Sequence, residues 1–233
     1  MTDSLKSEFR CIALDLPGHG TSIGLPQETY TFEGAARSII RLLDELQIDR
    51  AALVGYSMGG RLTLHLTLNQ PERFTGLLLE STSPGLEKEG DRAARRAADE
   101  EKAQRLETED FGEFLQDWYR QPLFESLACD EAVLQETIKA RKNNDPSELA
   151  KSLRGMGTGS QPSLWRELPE LWVPALAVTG ELDEKFVGIS RRMAASSTRL
   201  KMVVISGVGH NVHVEAPKEY LGLLRRFLRM TTA

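Results

Sequence analysis

The sequence predicts an α/β protein, a mostly parallel sheet flanked by helices with a helical insertion. Three observations carry this. Residues 51–68, AALVGYSMGGRLTLHLTL, run from a short apolar stretch through a tight glycine turn into a helix-like stretch. Short apolar runs alternate with amphipathic stretches over residues 9–80 and again over 175–230, the rhythm of a parallel sheet covered on both faces. Between about residue 87 and residue 170 no strand is evident, so the alternation is interrupted once. The 233 residues fit one such domain and can bury a sizeable core. The expected division is a core over 1–86 and 168–233, with a helical cap over 87–167.

In chain order, residues 9–16, FRCIALDL, are apolar enough for a buried strand, which Pro17-Gly18-His19-Gly20 ends. Cys11 would then be a small buried apolar residue. Residues 31–47 place Ala36, Ile39, Ile40, Leu43 and Leu46 at helical spacing behind Thr31, a helix-capping residue. The strand, turn and helix of 51–70 follow, closed by Pro71, and then the strand Phe74–Glu80. Residues 86–108 are dense in Glu, Lys, Asp, Arg and Ala and read as one or two exposed helices. Residues 111–127 concentrate five aromatics, 132–154 are helical, and 155–163, GMGTGSQPS, form a loop. The alternation resumes with a strand at 175–179, a helix near 187–196, the strand Leu200–Ile205 and a terminal helix over 216–230.

The net charge of −5 gives no reason to expect nucleic-acid binding. The two cysteines, Cys11 and Cys129, lack metal-ligand spacing and suggest a reducing compartment. The first ten residues hold no apolar signal core, and no apolar run approaches the ~18 residues of a membrane span. A cytoplasmic protein without membrane attachment is the expectation. No nucleotide loop or metal cluster is visible, so no cofactor is expected.

The chemistry lies in the glycine turn. Gly-x-Ser-x-Gly between a strand and a helix is a nucleophile elbow: the turn holds Ser57 strained at the carboxyl end of the sheet, and glycines two before and two after give the helix room. The backbone N–H of Met58 then faces a developing oxyanion. Residues just past the carboxyl ends of parallel strands converge on one face. Asp183 and His210 follow later strands, which completes Ser…Asp…His in that order. Serine alone is a poor nucleophile or base; a histidine takes its proton, and a carboxylate fixes the histidine's tautomer and charge. Glu181 is the rival acid, nearer the strand. His213, His65 and His19 are rival imidazoles: the first follows no strand end, the second lies within a helix, and the third could line the pocket.

DLPGHGTS at 15–22, GYSMGGR at 55–61, DWYRQPLFESL at 117–127, TGELDEKF at 179–186 and GVGHNVHVEAP at 207–217 resemble the α/β-hydrolase superfamily. More narrowly they resemble the menaquinone-pathway MenH family, the 2-succinyl-6-hydroxy-2,4-cyclohexadiene-1-carboxylate synthases. The arginine after the elbow and the aromatic cap motif are its most specific features. The resemblance implies a lyase: pyruvate is eliminated from a cyclohexene precursor, with Ser57, activated by His210 and Asp183, as the base. The substrate is a small polycarboxylate, which suits an arginine-lined pocket. Arg61, Trp118 and Arg141 match pocket-lining positions, Tyr56 is expected to line the pocket beside them, and one of Arg92, Arg95 and Arg96 serves too, with Arg95 the choice. A monomer or weak homo-oligomer is expected.

The chain departs from the family at its start. The family's strands before residue 9, and the His-Gly loop that supplies a second oxyanion donor, have no counterpart; His-Gly occurs only at 19–20. In the superfamily one of those strands lies between the strands at 9–16 and 51–55. The resemblance therefore implies an N-terminally incomplete chain or a sheet that closes up differently. One lost oxyanion donor would slow catalysis by roughly 100- to 1,000-fold. Two other readings stay open: a serine hydrolase of ester or C–C bonds, with little need of the arginines, and an inactive hydrolase-like fragment.

Overall fold

Four parallel strands form one sheet, in the order β1-β2-β3-β4, in the computed structural model, which describes residues 2–231. Helix α1 (Phe32–Glu45) precedes β1 (Ala51–Tyr56), and α2 (Met58–Asn69) leads to β2 (Phe74–Glu80). The chain returns to the sheet at β3 (Ala175–Gly180), which pairs with β2 from Leu77↔Ala175 to Glu80↔Val178. Strand β4 (Leu200–Ile205) pairs with β3 from end to end. Each crossover between neighbouring parallel strands carries helices, as parallel pairing demands.

The β2 sequence FTGLLLE explains its central place. Leu77, Leu78 and Leu79 are at most 1% exposed, because both faces of the sheet are covered. Successive side chains alternate faces. Leu77 and Leu79 pack with Leu64 of α2 and with Met193, while Leu78 packs with Val178, Tyr220, Leu224 and Phe227.

Five helices lie between β2 and β3: α3 (Glu89–Thr108), α4 (Phe111–Tyr119), α5 (Glu125–Ala128), α6 (Glu131–Arg141) and α7 (Pro146–Met156). Among the described residues no strand occurs there. Arg154 of α7 reaches Glu100 and Glu107 of α3, at 2.8 and 2.5 Å, and holds the two helices together. The helical stretch expected over 132–154 is two helices. Asp145 caps α7 by accepting from the amides of Ser147 and Glu148, and Pro146 occupies the first turn, where its missing N–H is harmless. After β3 come α8 (Glu184–Ser196), α9 (Val212–Glu215) and α10 (Pro217–Thr231).

Residues 9–16 are not a strand. They run beside the sheet, and among the described residues none of the amides of 10–16 donates to another backbone group. Phe9 and Cys11 pack against the α10 side of the core and Leu16 against the α1 side, while Ile12 and Leu14 are 43% and 42% exposed. Cys11 is half-buried. The reason is pairing, not polarity: an apolar run becomes a strand only where a neighbour accepts its ladder bonds. β1 pairs with β2 alone, and Val54 is 41% exposed. The sheet does not close onto residues 9–16; a groove lined by residues 9–16 and 50–57 separates them and opens into the candidate site.

No helix among the described residues is long and apolar enough to cross a membrane.

Candidate active site

Ser57 sits between β1 and α2 with φ 48° and ψ −108°, a backbone conformation that side chains rarely adopt. Such strain costs of order 1–3 kcal/mol and needs support from its surroundings. The Ser57 amide donates to the Glu80 carbonyl (2.9 Å), and the Arg61 amide to the Ser57 carbonyl (3.0 Å). Two glycines allow the tight turn. A Cβ on Gly55 would lie 2.6 Å from the backbone of Gly59 and Gly60, and one on Gly60 would lie 1.9 Å from Oγ1 of Thr82. Gly59 has open space, so the close helix–sheet contact falls on Gly60 instead of the second motif glycine.

Asp183 caps α8, accepting from the Phe186 amide with Oδ1 (3.3 Å), and turns Oδ2 to His210 Nδ1 at 2.6 Å. His210 Nε2 lies 3.3 Å from Ser57 Oγ. Asp183 and His210 are buried, and the imidazole is ringed by Phe186, Tyr56 and Phe124, with centroids at 4.7, 5.4 and 6.1 Å. The His210 loop is pinned on both sides: Glu215 accepts from the amides of Gly209 and Asn211, and Ser81 Oγ donates to the His210 carbonyl (2.8 Å). The set Ser–His–Asp can therefore move a proton from the serine to an imidazole whose charge a buried carboxylate holds.

The rivals lie elsewhere. Glu181 accepts from Ser206 Oγ and the Gly207 amide, and the Ser206 bond holds its carboxyl below the usual range. His65 pairs with Asn69 within α2. His213 donates to Glu80. His19 lines the cavity, and burial pulls its imidazole pKa down.

Ser57, Asp183 and His210 face a cavity of about 1780 Å³, a volume that includes the groove beside β1. Tyr56, Met58, Arg61, Arg95, Trp118 and Arg141 line it as well. The Arg61 guanidinium donates to the Met156 carbonyl (2.9 Å) and lies over the Phe32 ring at 5.7 Å. Burial, with Arg95 nearby, lowers its pKa to about 10. Among the described residues neither Arg61 nor Arg141 is in an ion pair with a carboxylate. Arg95 bonds Asp99 at 2.7 Å. Arg92 and Arg96 pair with Glu89 and do not line the cavity. Trp118 lies among Phe114 and Phe124, at 6.0 and 6.3 Å. Tyr56 donates its hydroxyl to Asn211 Oδ1 (2.6 Å), and burial followed by Glu80 pushes its pKa well up. Among the described residues no group of three or more His, Cys, Asp or Glu side chains is arranged to hold a metal ion.

Sequence reasoning missed Glu80, Asn211 and Glu215, which hold the triad's loops. One signal was legible for Glu80: it is the lone charge ending an apolar run at the carboxyl end of a strand, the pattern that singled out the triad.

Comparison with known proteins agrees with this geometry. Residues 1–223 match the family described as the alpha/beta hydrolase family. A putative 2-succinyl-6-hydroxy-2,4-cyclohexadiene-1-carboxylate synthase of Bacillus subtilis is 36% identical over 97% of this chain and 83% of its own length. The synthase of that name from Serratia proteamaculans is 34% identical over 95% of this chain and 84% of its own. Among solved structures, MenH from S. aureus superposes with a TM-score of 0.89 at 37% identity, covering 94% of this chain and 83% of that one. The chain belongs to the alpha/beta hydrolase family and, within it, to the 2-succinyl-6-hydroxy-2,4-cyclohexadiene-1-carboxylate synthases.

Proposed function

We propose that this chain is a lyase that eliminates pyruvate from 2-succinyl-5-enolpyruvyl-6-hydroxy-3-cyclohexene-1-carboxylate, giving 2-succinyl-6-hydroxy-2,4-cyclohexadiene-1-carboxylate on the route to menaquinone or phylloquinone. His210, oriented by Asp183, takes the proton of Ser57, whose oxygen removes a proton from carbon. The electron pair moves through the conjugated system, the C–O bond to the enolpyruvyl group breaks, and the departing enolate takes up the proton held by His210 to become pyruvate. Charge developing on the substrate carbonyl falls to the Met58 amide. The substrate's carboxylates go to Arg61 and Arg141, with Arg95, Trp118 and Tyr56 shaping the pocket, and the helices of 87–167 act as its cap.

One observation carries this reading beyond a generic serine hydrolase: the half-buried Arg61 and the exposed Arg141 line the cavity of Ser57, and among the described residues neither is in an ion pair with a carboxylate. Burial of the Arg61 guanidinium without an ion-pair partner is costly, and an anionic ligand removes the cost. Ester hydrolysis has no such need. The test is pyruvate release from the enzymatically generated precursor, coupled to lactate dehydrogenase and followed at the NADH absorbance, beside turnover of simple esters. Pyruvate without ester turnover is expected. Ester turnover without pyruvate would replace the lyase by a hydrolase.

A further inference from the structure

A second carboxylate–imidazole pair lies beneath the triad, and the lyase scheme does not use it. Glu80 ends β2 and is 1% exposed. Its Oε1 accepts from both the backbone amide and the Nδ1–H of His213, at 3.0 and 2.7 Å. His213 lies three residues beyond His210, in α9. Its ring stands 4.8 Å from that of Tyr56 and 6.1 Å from that of Tyr220. Tyr56 in turn touches His210 with ring centroids 5.4 Å apart, and its hydroxyl holds Asn211, the residue after His210. The Glu80 carbonyl carries the Ser57 amide, and Ser81 carries the His210 carbonyl. The carboxyl end of β2 therefore touches both the nucleophile's backbone and the base's loop.

We propose that Glu80 is a positioning residue of the reaction, acting through His213: its carboxylate fixes α9 and the Tyr56 ring, and so sets His210 Nε2 at its distance from Ser57 Oγ. A buried carboxylate with two charge-assisted bonds to one short helix is a stiff tether. Base and nucleophile must meet within hydrogen-bond reach, and small misplacements are costly in rate. The substrate's arginines sit on other elements, so the tether acts chiefly on turnover and touches affinity only through the Tyr56 ring. The proposal rests on the lyase reading for its substrate and on the Ser–His pair alone for its geometry.

The experiment compares wild type with Glu80→Ala, Glu80→Gln, His213→Ala and the Glu80→Ala/His213→Ala double variant. It reads kcat and KM for pyruvate release, the rate at which a fluorophosphonate labels Ser57, and Tm. Glu80→Ala is expected to lower kcat and labelling about 10- to 100-fold with KM within about twofold. Glu80→Gln keeps an acceptor for both His213 N–H groups and is expected to recover most of the loss. The double variant is expected to match the singles, as members of one unit do. If Glu80→Ala fails to fold, His213→Ala carries the same prediction with the carboxylate intact. Unchanged kcat and labelling in folded variants, or a change in KM alone, would overturn the proposal. A wild type that labels rapidly but releases no pyruvate sinks the lyase reading, and the labelling rates of the variants still decide the tether.

Discussion

The two flanks of the sheet are built differently. On the β2–β3 flank the pairing is two-sided: β3 pairs with β2 over Ala175–Val178 and with β4 along its whole length, and Glu181 and Leu182 bond back to the end of β4 and the loop that follows it. Asp183 follows β3, and His210 follows β4, an edge strand paired with β3, yet each is held by at least one bond besides the one between them. On the β1 flank, Ser57 and Arg61 follow a strand paired on one side only, beside a groove whose far wall, residues 9–16, has no ladder. The triad still assembles, because Ser57 is positioned from the closed side, through the Glu80 carbonyl. The elbow's geometry is set by its tie to β2 and does not depend on the outer edge of β1.

That contrast can be broken or sharpened by substitution. The largest expected effect is on the closed flank: Asp183→Asn keeps the shape but offers His210 the wrong tautomer, and pyruvate release should fall about 10³- to 10⁴-fold in steady-state kinetics. Next, Leu78→Ala empties a fully buried site between β3 and α10 and should cost about 2–5 kcal/mol in urea unfolding. Arg61→Ala follows. Losing a charged hydrogen bond to the substrate, worth about 1.5–3 kcal/mol, should raise KM roughly 10- to 150-fold with a smaller effect on kcat. Smallest is Leu14→Ala on the open wall, within about 0.5 kcal/mol of wild type by the same unfolding measurement, since that side chain is 42% exposed. A Leu14 effect equal to that of Leu78 would show that the two flanks are equally packed.

The same contrast explains what the sequence could and could not reveal. Phe74–Glu80 and Leu200–Ile205 were readable to the residue, because an apolar run between turn signals is what a doubly covered strand requires. The approach of Ser57, Asp183 and His210 was readable because strand ends in a parallel sheet converge. Residues 9–16 carry the same local signal and are not a strand, since strand pairing is a property of the neighbour and not of the run. The break at 142–145 is written in Asp145-Pro146, a pair that caps and opens a helix. Arg95 could be separated from Arg92 and Arg96 only by seeing which side of α3 meets the cavity. For Glu80 the sequence shows a lone charge at a strand end but not its partner, His213, which lies 133 residues away.

The central claim is that Ser57 acts as the base in pyruvate elimination while the arginines hold the substrate. Its most direct test is Ser57→Ala, assayed for pyruvate release and, by calorimetry, for binding of the carboxylate-rich product. The account predicts turnover reduced by on the order of 10⁵-fold with product affinity nearly unchanged. Undiminished pyruvate release by Ser57→Ala would contradict it.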